Sequence, residues 1–364
     1  MIHKSIVKTN SFQKGQKHED YRHKKLTFEE KYNLASHNET SVELLSALAK
    51  DETIIRAMVA ENKSTPPKIL SELAHDTERN VREAVARNKN TPIEVLSKLA
   101  VDSDWRVRRV VAGMSNTPIE ILSQLAVDSD WRVRETIAWN EKTPVKLLQA
   151  LIYDVDFHVR KIVALNNNTP VKSVIQLATD EDDDVRAVVA YNKNTPTEVF
   201  AMLAKDESVY VRETIARNKN TPIEILALLA VDEEYSVRKA VAYNLNTPAE
   251  ILALLAVDEE YSVRKTVVHN ENTPAKVLAL LAKDVDSDIR IDVAKSEMTS
   301  AETLAMLAHD NVVWVREAVV RNEKTPNEAL ALLSKDEDRN VRITANKMLN
   351  ARKEKSKTNN VFEL

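Results

Sequence analysis

Residues 65–90 read TPPKILSELAHDTERNVREAVARNKN, and most of the chain is that line rewritten. Its opening pair, Thr65-Pro66, returns at Thr91-Pro92, Thr117-Pro118, Thr143-Pro144, Thr169-Pro170, Thr195-Pro196, Thr221-Pro222, Thr247-Pro248, Thr273-Pro274 and Thr325-Pro326. Thr299-Ser300 keeps the spacing without proline, and Thr40-Ser41 opens the array in a unit one residue short. A unit of this length cannot bury its own apolar face, so neighbours must stack. The expected product is an all-α solenoid of about twelve 26-residue repeats with two helices in each.

Places within a repeat are counted from its threonine. Threonine is a good N-cap, proline suits the first helical turn, and glutamate at the fourth place completes a capping box. Glu43, Glu94, Glu120, Glu198, Glu224, Glu250, Glu302 and Glu328 fill that place, with lysine at Lys68, Lys146, Lys172 and Lys276. Apolar residues at the fifth, sixth and ninth places, as in Ile225, Leu226 and Leu229, form one helical face. The first helix is expected from the second to about the eleventh place. A second helix is expected from about the fourteenth to the twenty-third, with a core pair such as Val81 and Val85 and a small Ala86 beside it. Asparagines then turn the chain. Helices this short are not stable alone.

Composition narrows the function classes. The chain has 364 residues, no cysteine, two glycines and eleven prolines. Disulfides, zinc–thiolate sites and cysteine-held iron–sulfur clusters are excluded. Nothing resembles a signal peptide or a membrane span, and the expected compartment is cytoplasmic. Residues 1–25 carry seven basic and two acidic side chains and read as a flexible basic tail. Residues 26–39 read as an N-terminal capping helix and 40–350 as the repeat array. Residues 351–364 read as a polar tail, mobile from 353. The segment 26–350 holds 41 basic and 52 acidic residues, a net of −11, which disfavours phosphate binding and favours a basic partner.

The string N-x-N-T-P-x-E-I-L-x-x-L-A-x-D-x-x-x-x-V-R-x-x-V-A resembles the leucine-rich repeat variant (LRV) family of HEAT-like helical repeats, over residues 40–350. The resemblance implies a right-handed superhelix whose repeats pair an α-helix with a 3₁₀-helix; which helix, if either, is 3₁₀ the residues do not say. The founding type's N-terminal cysteine cluster for iron–sulfur binding has no counterpart here. The resemblance otherwise implies a binding scaffold.

Two columns are filled in all twelve repeats: an aspartate between the helices (Asp76, Asp102, Asp232, Asp258 among them) and an arginine on the second helix (Arg56, Arg82, Arg212, Arg238 among them). A catalytic group is needed once, not twelve times, so these read as helix caps and an ion-pair ladder along one seam. The asparagine column (Asn62, Asn88, Asn244 and others, replaced by Met114, Ser296 and Met348) reads as turn structure.

Variable columns carry the functional signal. Places fifteen, nineteen and twenty-three lie on one face of the second helix. They read Trp105-Arg109-Gly113, Trp131-Glu135-Trp139, Phe157-Lys161-Leu165, Asp183-Ala187-Tyr191, Tyr235-Lys239-Tyr243 and Tyr261-Lys265-His269. Trp, Tyr and Arg dominate binding hot spots, so Trp105, Arg109, Trp131, Trp139, Phe157, Lys161, Tyr191, Tyr235, Lys239, Tyr243, Tyr261 and Lys265 are the candidate partner-binding residues. The competing reading is that these rings stack between repeats. The Trp/Arg patch around Trp105 and Trp131 is similar to surfaces of HEAT-like DNA alkylation repair glycosylases and supports the alternative of nucleic-acid binding. At the eighth place, Met202, Leu228, Leu254, Leu280, Met306 and Leu332 are apolar. They read first as a widened core, and as a self-association surface if exposed. No metal-ligand spacing, phosphate loop or nucleophile motif is present, so no enzyme activity, cofactor or metal is expected.

Overall fold

The computed structural model describes residues 26–361, so the basic segment 1–25 lies outside the described residues. Among them are 25 α-helices and no strand. They fall into two compact units, Met1–Leu147 and Leu148–Leu364. Each unit is a run of helix pairs in which successive second helices pack on one another, as Arg79–Arg87 does on Trp105–Gly113 and Val209–Arg217 on Tyr235–Tyr243.

The repeat from Thr221 shows how sequence becomes structure. Its first helix is Ile223–Leu229 and its second Tyr235–Tyr243. Ile225, Leu226 and Leu229 are buried, as are Val237, Val241 and Ala242. Each fully buried aliphatic side chain contributes about 1.5–3 kcal/mol, and stacking supplies a burial that a seven-residue helix cannot reach alone. Both helices of the repeat are α, which corrects the expected α/3₁₀ pairing. Three-residue turns flank the short helix at both ends, where Ile225 N–H donates to the Pro222 carbonyl and Asp232 N–H to that of Leu229.

The expected threonine cap is also corrected. The N-cap is the residue at the second place, here Pro222, and no side chain caps it. The threonine is buried and faces backwards: Thr221 Oγ1 donates to the Ile215 carbonyl at 2.6 Å, closing the preceding helix. The capping box therefore cannot form, because the fourth-place glutamate sits one position too early for it. Where proline is absent, serine supplies the cap. Ser41 Oγ accepts from Leu44 N–H and Ser300 Oγ from Thr303 N–H. A true capping box occurs once among the described residues, at Thr27 and Glu30 on the helix Phe28–Ser36.

The N-terminal end is closed by contacts like those between repeats. Lys31 stands where a repeat would place arginine and pairs with Asp51 at 2.8 Å. Asn62 Nδ2 donates back to the Ala35 and His37 carbonyls at 2.7 and 3.0 Å. At the other end the helix runs Arg339–Val361, so helical backbone occupies most of the stretch expected to be a mobile tail. No described helix is long and apolar enough to cross a membrane.

Candidate interaction faces on the repeat scaffold

The two charged columns form the expected ladder. Arg238 Nε and Nη2 donate to Asp258 Oδ2 and Oδ1 at 2.7 and 3.0 Å, a bidentate pair reaching into the next repeat. Arg238 Nη1 donates to the Asp232 carbonyl of its own repeat at 2.8 Å. In the first unit, Arg82 makes the same pair with Asp102 at 2.6 and 2.9 Å. The aspartate is not itself the N-cap. Asp232 Oδ1 accepts from Glu234 N–H, and Glu234 is the cap residue. Burial works to raise the pKa of Asp102, but hydrogen bonds from Arg82 and Asp104 N–H, with the Arg82 and Arg108 charges, outweigh it and hold the carboxyl below the usual range. Asp128 is held low by the same balance, and Asp336 is low chiefly because Arg316 donates to it. Every arginine in such a bidentate pair has its donors engaged by protein, so the ladder is scaffold and not a site.

Asparagine forms a second ladder. Asn244 Nδ2 donates to the Ala216 and Asn218 carbonyls of the preceding repeat at 2.8 and 3.0 Å, and its Oδ1 accepts from Asn246 N–H. At the neighbouring break in the first unit, a Cβ on Gly113 would lie 3.3 Å from Thr136 Cγ2, so glycine admits a close approach of the next repeat there.

What remains for recognition is the variable face of the second helices, and the two units present it differently. In the first unit Trp105 is half-buried under cations: Arg132 lies 4.5 Å from its ring centroid, Arg106 4.6 Å and Arg109 5.3 Å. Trp131 is half-buried, with Arg132 at 5.0 Å, whereas Trp139 is 66% exposed. Asp104 and Asp130 cap their helices and also approach Arg106 and Arg132. In the second unit Phe157 lies against His158, ring centroids 3.9 Å apart, and Lys161 pairs with Asp184 at 2.9 Å. Tyr235, Lys239 and Tyr243 are all exposed. The stripe breaks at Asp183–Val189, a helix two residues shorter than its counterparts, where Ala187 is buried although Tyr191 is exposed.

Tyr261, Lys265 and His269 are drawn together by a residue that the column reading missed. Lys265 Nζ donates to Tyr261 Oη at 3.0 Å and lies 3.6 Å from Asp292 Oδ2, which is also 3.2 Å from His269 Nε2. The Tyr261 hydroxyl, helped by the Asp292 charge, raises the Lys265 pKa against the cost of desolvation. His269, Asn270, Asp292, Ser296 and Met298 line an open groove of about 460 Å³. The missed signal was visible: Asp292 is an acid in a column that elsewhere reads Ala240, Thr266 and Ala318. Two exposed rings, Tyr210 and Trp314, were also missed because they sit one place later in their repeats.

The eighth-place residues lie outside the core. Met202, Leu228, Leu254, Leu280, Met306 and Leu332 are all exposed, which corrects the widened-core reading. The fifth, sixth and ninth places already fill the interior.

Comparison with known proteins gives one family match and two similar solved structures. The family described as leucine rich repeat variant matches at residues 79–104 and 235–260, one repeat-length in each unit. The match makes those two stretches similar to leucine-rich repeat variant repeats. A solved structure titled as a leucine-rich repeat variant with a novel repetitive protein structural motif is 28% identical, with a TM-score of 0.49, over 62% of this chain and 88% of that one. An engineered protein of known structure is 17% identical, with a TM-score of 0.24, over 88% of this chain and 94% of that one. No protein with a curated description matches. Both stretches of the variant-repeat match run from the start of a second helix through the ladder aspartate to the next helix cap, the segment on which repeat stacking depends.

Proposed function

We propose that this repeat protein is a binding scaffold rather than a catalyst, and that it holds a protein or peptide of basic character on the variable face of its second helices. The observation that carries this reading is the exposed row Tyr235, Lys239 and Tyr243, standing on a helix whose Val237, Val241 and Ala242 are buried in packing and whose Arg238 is held in the ladder. Large rings on a rigid backbone lose little entropy on binding, which is why they anchor interfaces. The net of −11 over residues 26–350 favours a basic ligand through long-range attraction. The test is binding of a panel of Lys/Arg-rich and acidic peptides to wild type and to Tyr235→Ala/Tyr243→Ala. The expected result is preference for the basic peptides and at least a tenfold loss in the variant with helicity retained. Equal binding by both proteins would overturn the assignment.

A second reading rests on the first unit alone. Three guanidiniums stand around Trp105, a ring-and-cation arrangement suited to stacking a base beside a phosphate. Titration with single-stranded DNA and RNA at low salt tests it. Binding that weakens steeply with salt, and is lost in Trp105→Ala, would favour nucleic acid over peptide.

A further inference from the structure

The first helices of the second unit carry a feature that the binding face does not use. Six consecutive repeats expose an apolar side chain at the same place, from Met202 to Leu332. Leu280 is 51% exposed and even Met306, the most covered, is 38% exposed. An alanine precedes each of them: Ala201, Ala227, Ala253, Ala279, Ala305 and Ala331. Adjacent first helices are neighbours, as Ala249–Leu255 is of Ala275–Leu281, so the stripe is continuous and not a scatter of single residues. Contiguous apolar surface on this scale marks an interface.

The edges of the stripe say what covers it. One turn towards each helix N-terminus lie Glu198, Glu224, Glu250, Lys276, Glu302 and Glu328, all exposed. One turn towards each C-terminus lie Lys205, Val231, Val257, Lys283, His309 and Lys335, also exposed. The surface is thus acidic along one margin, apolar in the middle, and basic or apolar along the other. Such a surface is complementary to itself.

We infer that this stripe is a homodimer interface, formed with a second copy of the chain about a two-fold axis running along the array. That axis sets each first helix antiparallel over the same helix of the second copy. Glu198 then faces Lys205 of the second copy, Glu302 faces His309 and Glu328 faces Lys335, while the leucines meet in the centre. Lys276 and Lys283 are the single like-charge pairing. A two-fold axis along the helices would instead lay glutamate margin on glutamate margin, which repulsion disfavours. The stripe lies on the first helices, so dimerisation leaves the second-helix face open and does not depend on the proposed function.

Sedimentation of the full chain tests the inference. A mass twice the 41.1 kDa of one chain is expected at micromolar concentration. Leu228→Gln/Leu254→Gln/Leu280→Gln, with helicity unchanged, should raise the dimer dissociation constant roughly 100-fold or more, since buried apolar anchors dominate interfaces. Glu328→Lys alone should weaken the dimer, and Glu328→Lys/Lys335→Glu should restore it. A wild-type monomer at ~100 µM, where even a weak complex of ordinary affinity would form, assigns the stripe to some other occupant and overturns the inference. A dimer indifferent to the leucine triple overturns it too. Failure of the paired reversal to restore affinity overturns the two-fold arrangement.

Discussion

The two units are each built on the same kind of interior and differ in what they show to solvent. In both, the arginine of one repeat grips the aspartate of the next, as Arg82 does Asp102 and Arg238 does Asp258. In both, asparagine reaches back to the preceding repeat, as Asn88 and Asn244 do. Outside that frame they part. The first unit carries Glu72, Lys98 and Gln124 at the eighth place, where the second carries leucine and methionine from Met202 onwards. The first surrounds Trp105 with guanidiniums, whereas the second spreads Tyr235, Lys239 and Tyr243 in the open. The difference teaches where freedom lies in a repeat fold. Columns that touch the next repeat are held by stacking geometry, and columns that touch only water are free to specialise unit by unit.

Acid offers the largest test of the common frame. Asp76, Asp102 and Asp128 in the first unit, and Asp206, Asp310 and Asp336 in the second, have folded pKa values held below the ordinary range. For a depressed carboxyl, the stability is present above the unfolded pKa and is lost as pH falls through the folded one. Helicity followed by circular dichroism should therefore hold through mild acid and collapse below the usual aspartate range. A loss already complete near pH 5 would show that the ladder contributes little.

Single rungs come next. Asp102→Ala and Asp258→Ala each strand a largely covered guanidinium and should cost about 3 kcal/mol in urea unfolding. Equal losses sharpen the claim of a common frame, and a large inequality breaks it. In the asparagine ladder, Asn244→Ala leaves backbone carbonyls of the preceding repeat short of a donor and should cost about 1–2 kcal/mol. The converse, Met114→Asn, should recover about 1 kcal/mol in the first unit by restoring the missing rung. The smallest effect belongs to the faces. Tyr243→Ala should shift stability by less than about 0.5 kcal/mol in the same experiment, because its ring packs on nothing the frame requires.

Much of this was legible in the residues. The period, both helices, the buried places and the Arg–Asp ladder follow from pattern, because each repeat obeys the same local rules as its neighbours. The threonine misled because its usual role as an N-cap competes with closing the helix before it. Here proline fixes the backbone at the cap, and the hydroxyl turns to the buried carbonyl of Ile215 instead. Propensity ranks a residue at one helix end and cannot see the other. The candidate face was legible in type but not in state. Trp105 and Tyr243 occupy the same face, yet one lies under arginines and the other is 70% exposed.

By itself the sequence determined the repeat, its register and its all-helical character, since those depend on spacing along the chain. Only the tertiary structure decided which apolar column is core and which is surface. The sixth and eighth places of a first helix can both be leucine, as Leu226 and Leu228 are. Leu226 is enclosed by its neighbours and Leu228 is left in water, because stacking covers one side of a short helix and not the other.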